Sequence, residues 1–147
     1  MNILHQFGEN GPGILFILSL LILHTINTNI LFYYVFGSFI SEFINLVLKN
    51  IFKEPRPKNN KYIINKLLKY DIYGMPSGHA QMAFFTTIFI YLAFNRKNYI
   101  MIAYLMYSIL ISYQRVKENY HTVNQVFVGG IIGLLFGYFY HKFIDNY

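Results

Sequence analysis

The sequence predicts an all-α protein, a multi-pass transmembrane helix bundle of about five spans, and three observations predict it. Apolar residues make up 55% of the 147-residue chain and aromatic residues 20%. Only 18 residues, 12%, carry a formal charge, about half the share found in a typical water-facing domain. The apolar residues fall into five runs. At about 20 residues per spanning helix, five spans leave room for connections but for no separate soluble domain. Residues 1–147 are therefore read as a single integral membrane domain.

The opening segment, MNILHQFGENGPG, has no Lys or Arg ahead of the first apolar run and no small-residue cleavage site after it. It is not expected to be a cleaved signal peptide. The first span is placed at about 13–27, interrupted by His24 and short for a crossing. The second, at about 30–52, is long enough to cross with some tilt. A polar connection at 53–76 follows, opened by Lys53-Glu54-Pro55-Arg56-Pro57, whose prolines remove backbone donors and disfavour helix. Within it, KYIINKLLKY sets Ile63, Ile64, Leu67 and Leu68 on one face and Lys61, Lys66 and Lys69 elsewhere. That pattern suits a short interfacial helix or, equally, a buried loop helix. The remaining spans are placed at about 77–94, 99–112 and 122–144.

Composition also removes several chemistries. The six acidic residues, Glu9, Glu42, Glu54, Asp71, Glu118 and Asp145, stand singly, so two-metal hydrolysis has little to build on. No metal or other cofactor is called for. The absence of cysteine removes disulfides, thiolate metal sites and cysteine nucleophiles. Five histidines remain for nucleophilic work. The net charge of +6 is expected to meet membrane phosphate, not nucleic acid, because no basic groove with interleaved stacking residues accompanies it.

Each span reverses direction, so the end of span two, the start of span three and the link between spans four and five share one face. Three groups sit there: Lys49 with Arg56 and Pro57; Pro76-Ser77-Gly78-His79; and Arg115 with His121 and Gln125. Taken alone, each has an ordinary reading. Lys49 is a snorkelling lysine, Arg56 a turn residue, Ser77 a helix N-cap, Arg115 a positive helix end and His121 an interfacial histidine. His5, His24 and His141 lack partners at meaningful spacing and are read as structural.

Taken together, in this order and separated by spans of the right parity, they resemble the type 2 phosphatidic acid phosphatase superfamily, whose motifs are KxxxxxxRP, PSGH and SRxxxxxHxxxD. The first two match in full at Lys49 to Pro57 and Pro76 to His79. The third matches at Arg115 and His121, with Gln114 in place of the usual serine and Gln125 in place of the usual aspartate. The resemblance covers about residues 40–135. SEFINLVLKNIFKEPRP, YGMPSGHAQ and YHTVNQVFVGG resemble the dolichyl-diphosphatase branch, where glutamine after the histidine is usual, so Gln125 reads as a mark of subgroup. The family core commonly has six helices, against the five counted in this sequence.

The residue types fit phosphoryl transfer. Lys49, Arg56 and Arg115 supply three cations, two of them able to grip phosphate bidentately, where charge develops on equatorial oxygens. Ser77 and Gly78 open a helix whose free N–H groups and dipole favour an anion. The resemblance implies His121 as the nucleophile, forming a phosphohistidine, and His79 as the acid that protonates the leaving oxygen and later activates water. Gln125, one helical turn after His121, can accept the second ring N–H; an ordinary packing amide is the other reading. Glu42 lies seven residues before Lys49, near the same helix face, and supports Lys49 or the headgroup pocket, or is a packed, protonated glutamate.

The sequence is thus read as a hydrolase acting on lipid phosphates in a multi-pass membrane location. Its expected substrate is a polyprenyl diphosphate cleaved to the monophosphate, in an endoplasmic-reticulum-type membrane as the dolichyl branch implies. A phosphatidate-type lipid phosphatase and a non-catalytic lipid-binding protein on the same fold stay open; oligomeric state is not specified. The spare Lys and Arg residues, six on the motif face against three opposite, favour a cytoplasmic site by the positive-inside rule. The dolichyl branch implies a lumenal one.

Overall fold

The computed structural model of the chain describes residues 3–57, 73–95 and 98–146, and the short helix expected around Ile63 to Leu68 lies outside them. Among the described residues there are six helices: α1 Ile3–Glu9, α2 Gly11–His24, α3 Thr28–Phe52, α4 Gly78–Ala93, α5 Asn98–Lys117 and α6 Val123–Asp145. Helices α2 to α6 correspond to the five expected runs. The short α1 was not anticipated, because ILHQFGE has too few apolar residues to stand out as a run. The chain bends at Asn10, and Pro12 falls in the first turn of α2, where a missing N–H costs nothing.

Local chemistry explains the other boundaries. The Asn27 side chain caps α3 by accepting from the Asn29 N–H at 2.7 Å. Lys53 ends α3 in the left-handed region, φ 50°, and two prolines follow. A capping box starts α6, with Thr122 and Gln125 each taking the other's backbone N–H. Helix α5 runs five residues past the expected end at 112. Arg115 therefore belongs to its last turn and not to the link. The ends of the 53–76 connection meet through a bridge between Pro55 and Tyr73 and a Gly74 N–H to Glu54 O bond of 2.7 Å.

Packing is densest between α4 and α6. Gly129, Gly133 and Gly137 recur every fourth residue on α6; a Cβ on Gly129 or Gly133 would collide with the backbone of Ser77 or Gln81, and one on Gly137 with the Ile88 side chain beside the Phe85 carbonyl. Small residues at this spacing let two helices approach at backbone distance. Below the site, Tyr34, Phe85, Phe89, Phe136 and Tyr140 form a continuous aromatic cluster with ring centroids 5.3–6.2 Å apart. That cluster accounts for part of the aromatic content.

Helix α3 is inverted relative to a helix of a soluble protein. Its exposed face carries Phe32, Phe36, Phe39 and Phe43, while Ser38, Ser41, Asn45 and Lys49 are buried. Such a helix suits hydrocarbon outside and polar partners inside. By length and apolarity, α3 and α6 can cross a membrane; α2 is apolar but shorter.

Candidate active site

Helix ends surround one cavity of about 590 Å³, lined by Lys49, Arg56, Gly78, His79, Arg115 and His121, with Glu42 at its side. The last turn of α3 supplies Lys49, which is 5% exposed and so is not a snorkelling side chain. Arg56 comes from the Pro-Arg-Pro turn just beyond it. Gly78 and His79 belong to the first turn of α4, a helix end whose free N–H groups and dipole favour an anion. Arg115, 2% exposed, comes from the last turn of α5. Its guanidinium lies 4.1 Å from the centre of the Tyr120 ring, which fixes its plane.

The end of α5 also places His121. The N–H groups of Tyr120 and His121 both donate to the Arg115 carbonyl, at 3.0 and 3.1 Å, and Asn119 turns the chain at φ 58°. His121 is 3% exposed. Its Nδ1 lies 2.9 Å from the Gly74 carbonyl and 3.2 Å from Gln125 Oε1. Both partners are acceptors, so Nδ1 carries the proton and Nε2 the lone pair. Burial, then the charges of Arg56, Arg115 and Lys49, push His121 down to about 3, against the opposing hydrogen bond from Gln125. The imidazole is neutral at physiological pH, as a nitrogen nucleophile requires.

His79 Nε2 donates to the Glu9 carbonyl at 3.2 Å. Glu9 thus enters the cavity wall beside Pro12 and Gly13, brought there by the α1–α2 corner. Gly8 makes that corner possible, because a Cβ on it would run into the Gln114 side chain. No pattern in the sequence marks Glu9; its role follows from the unanticipated helix.

Two expected residues do not line the cavity. Ser77 sits at the N-cap of α4, yet its side chain makes no capping bond and its buried Oγ has no hydrogen-bond partner. Its N–H donates to the Gln125 carbonyl at 3.0 Å, tying α4 to α6. Gln125 is fully buried behind His121. Beneath Gly78, the Asn45 amide donates to Gln81 Oε1 at 2.9 Å, and Gln81 donates to the Ser41 carbonyl at 2.7 Å. Ser41 and Asn45 of the polar stripe of α3 are therefore engaged by α4, Ser38 bonds within its own helix and Lys49 faces the cavity.

The chain is similar to known proteins over most of its length. Residues 30–147 match the PAP2 superfamily. Dolichyldiphosphatase 1 of Dictyostelium discoideum is 34% identical over 119 residues, 74% of this chain and 50% of that protein. Dolichyldiphosphatase 1 of Homo sapiens is 32% identical over 126 residues, covering 76% and 49%. Dolichyldiphosphatase of Saccharomyces cerevisiae is 33% identical over 114, covering 71% and 48%. The chain thus spans about half the length of these relatives. Among solved structures, Aquifex aeolicus LpxE superposes with a TM-score of 0.73 at 26% identity, over 95% of this chain and 83% of that one.

Proposed function

The chain belongs to the PAP2 superfamily, and from that premise we propose that it is a membrane diphosphatase that cleaves a polyprenyl diphosphate, of dolichyl type, to the monophosphate and phosphate without a metal or cofactor. The observation that carries this reading is the cavity itself. Three cations, a helix N-terminus and a buried neutral imidazole with its Nε2 lone pair available all meet one small volume. Lys49, Arg56 and Arg115 hold the terminal phosphoryl group and take up charge on its equatorial oxygens. Gly78 contributes the helix N-terminus to the same phosphate site, and Ser77, whose N–H is bound to the Gln125 carbonyl, holds that terminus from behind.

His121 Nε2 attacks the terminal phosphorus in line. The N–P bond forms as the bridging P–O bond breaks, and the leaving lipid monophosphate oxygen takes a proton from His79. Neutral His79 then removes a proton from water, which attacks phosphorus, releases inorganic phosphate and restores His121. Glu42 lies at the side of the cavity, seven residues before Lys49 on α3, and supports the headgroup pocket. The proposed organisation is one domain over residues 1–147 whose helices α2 to α6 span the membrane, an endoplasmic-reticulum-type membrane in keeping with the dolichyldiphosphatase relatives.

The test is phosphate release by detergent-purified protein, with a chelator present, from a polyprenyl diphosphate and from phosphatidate, beside His121→Ala. Release from the diphosphate that the substitution lowers by on the order of 10³-fold or more, with an acid-labile phosphoprotein trapped in the wild type, is expected. Faster release from phosphatidate would reassign the tail and headgroup. No release from either would leave only a lipid-binding protein, and release unaffected by the substitution would overturn the mechanism.

A further inference from the structure

The third family motif ordinarily sets a carboxylate against the nucleophilic histidine, and here that position holds the neutral Gln125. The amide is saturated. Its Oε1 takes His121 Nδ1–H and the Thr122 N–H, both at 3.2 Å. Its Nε2 donates to Glu54 Oε1 at 2.8 Å and to the Pro55 carbonyl at 2.9 Å. This fixes which end of the amide faces the ring, since the reverse orientation would set oxygen against carboxylate. Gly74 completes the arrangement. Its carbonyl accepts from His121 at 2.9 Å, its N–H donates to the Glu54 carbonyl at 2.7 Å, and a Cβ on it would displace the Gln125 amide.

We propose that Glu54 is the carboxylate of this active site, displaced by one amide: a positioning residue that acts on His121 through Gln125. The proposal rests on the phosphohistidine reading above. Glu54 does not line the cavity, so it touches neither phosphate nor leaving group. An anionic acceptor on the amide N–H strengthens that bond and polarises the amide, so more negative charge sits on Oε1. That charge matters when His121 Nε2 bonds to phosphorus and the ring becomes cationic with its Nδ1 proton retained. The same distance keeps this carboxylate from joining Glu9 and Glu42 in the cavity wall, where it would compete with the phosphate for Lys49, Arg56 and Arg115. The negative charge is thus available to the ring and withheld from the clamp.

The test uses the full-length protein in detergent with the substrate it cleaves faster. Glu54→Gln should lower kcat by about 10- to 100-fold, the usual range for a residue supporting a ligand from behind, and change KM by less than about 3-fold. Gln125→Asp alone brings a second carboxylate against Glu54 and should also lower kcat. The double variant Glu54→Gln, Gln125→Asp restores one charge beside one amide and should recover kcat to within about 5-fold of wild type. Losses that multiply in the double variant, or an unchanged kcat in Glu54→Gln, would overturn the relay while leaving the phosphatase intact. If Glu54→Gln does not yield folded protein, Glu54→Met, of similar volume and without charge, is read instead; a kcat equal to wild type would then overturn it. A wild-type protein inactive on both lipids would defeat the underlying reading instead.

Discussion

The two ends of the helix bundle are built on opposite principles. Around Tyr34, Phe85, Phe89, Phe136 and Tyr140, large rings stack on one another, and His141 meets Phe89 edge-on at 5.2 Å. Around Lys49, Arg115, His121 and Gln125, nearly every contact is a directional hydrogen bond or a charge, and the charges nearest the imidazole are of one sign. The aromatic end gains stability from packing, which tolerates changes of shape better than changes of volume. The polar end gathers three cations around one cavity whose wall also carries Glu9 and Glu42. Stability and chemistry are therefore divided between the ends, and substitutions should separate them.

The largest expected effect is at the polar end. Arg115→Ala should reduce phosphate release by on the order of 10²- to 10³-fold with a smaller loss of thermal stability in detergent than Phe89→Ala causes. A fall in stability matching the fall in activity would erase the distinction. At the other end, Phe89→Ala should cost about 3–5 kcal/mol in detergent unfolding, while kcat, read below the unfolding transition, stays within about 3-fold. Acidification probes the boundary. His121 is held down to about 3 in the folded protein, below its ordinary value of about 6.5. Between those values the unfolded chain binds more protons, so stability falls as pH drops through that window, by at most about 1.4 kcal/mol per unit. His121→Ala should flatten that part of the pH–stability curve, and an unchanged slope would show that the imidazole is not held neutral by its neighbours.

The two ends were also unequally legible in the sequence. Apolar runs mark α2, α3, α4 and α6 within a few residues, because a helix facing hydrocarbon must be apolar over most of its length. The end of α5 was misjudged because Tyr113-Gln114-Arg115 looks like the start of a polar link; Gln114 and Arg115 are in fact buried against the rest of the fold. At the site, residue types and span parity point to Lys49, Arg56, His79, Arg115 and His121, which do line one cavity. Glu54 and Gln125 lie 71 positions apart, and nothing periodic connects them. The glycines at 129, 133 and 137 form a readable stripe, but its partner, the backbone of α4, has no sequence signature.

Helix α4 has 16 residues, a length of about 24 Å, whereas bilayer hydrocarbon is about 30 Å thick. As a span in the proposed topology it is too short for its surroundings, so that its N-terminus, where phosphate would bind, and its far end cannot both reach the headgroup plane of an undistorted bilayer. The bilayer must thin or admit water there. Activity should then depend on the thickness of the host membrane, with long-chain, sterol-stiffened lipids acting as inhibitors without touching the site.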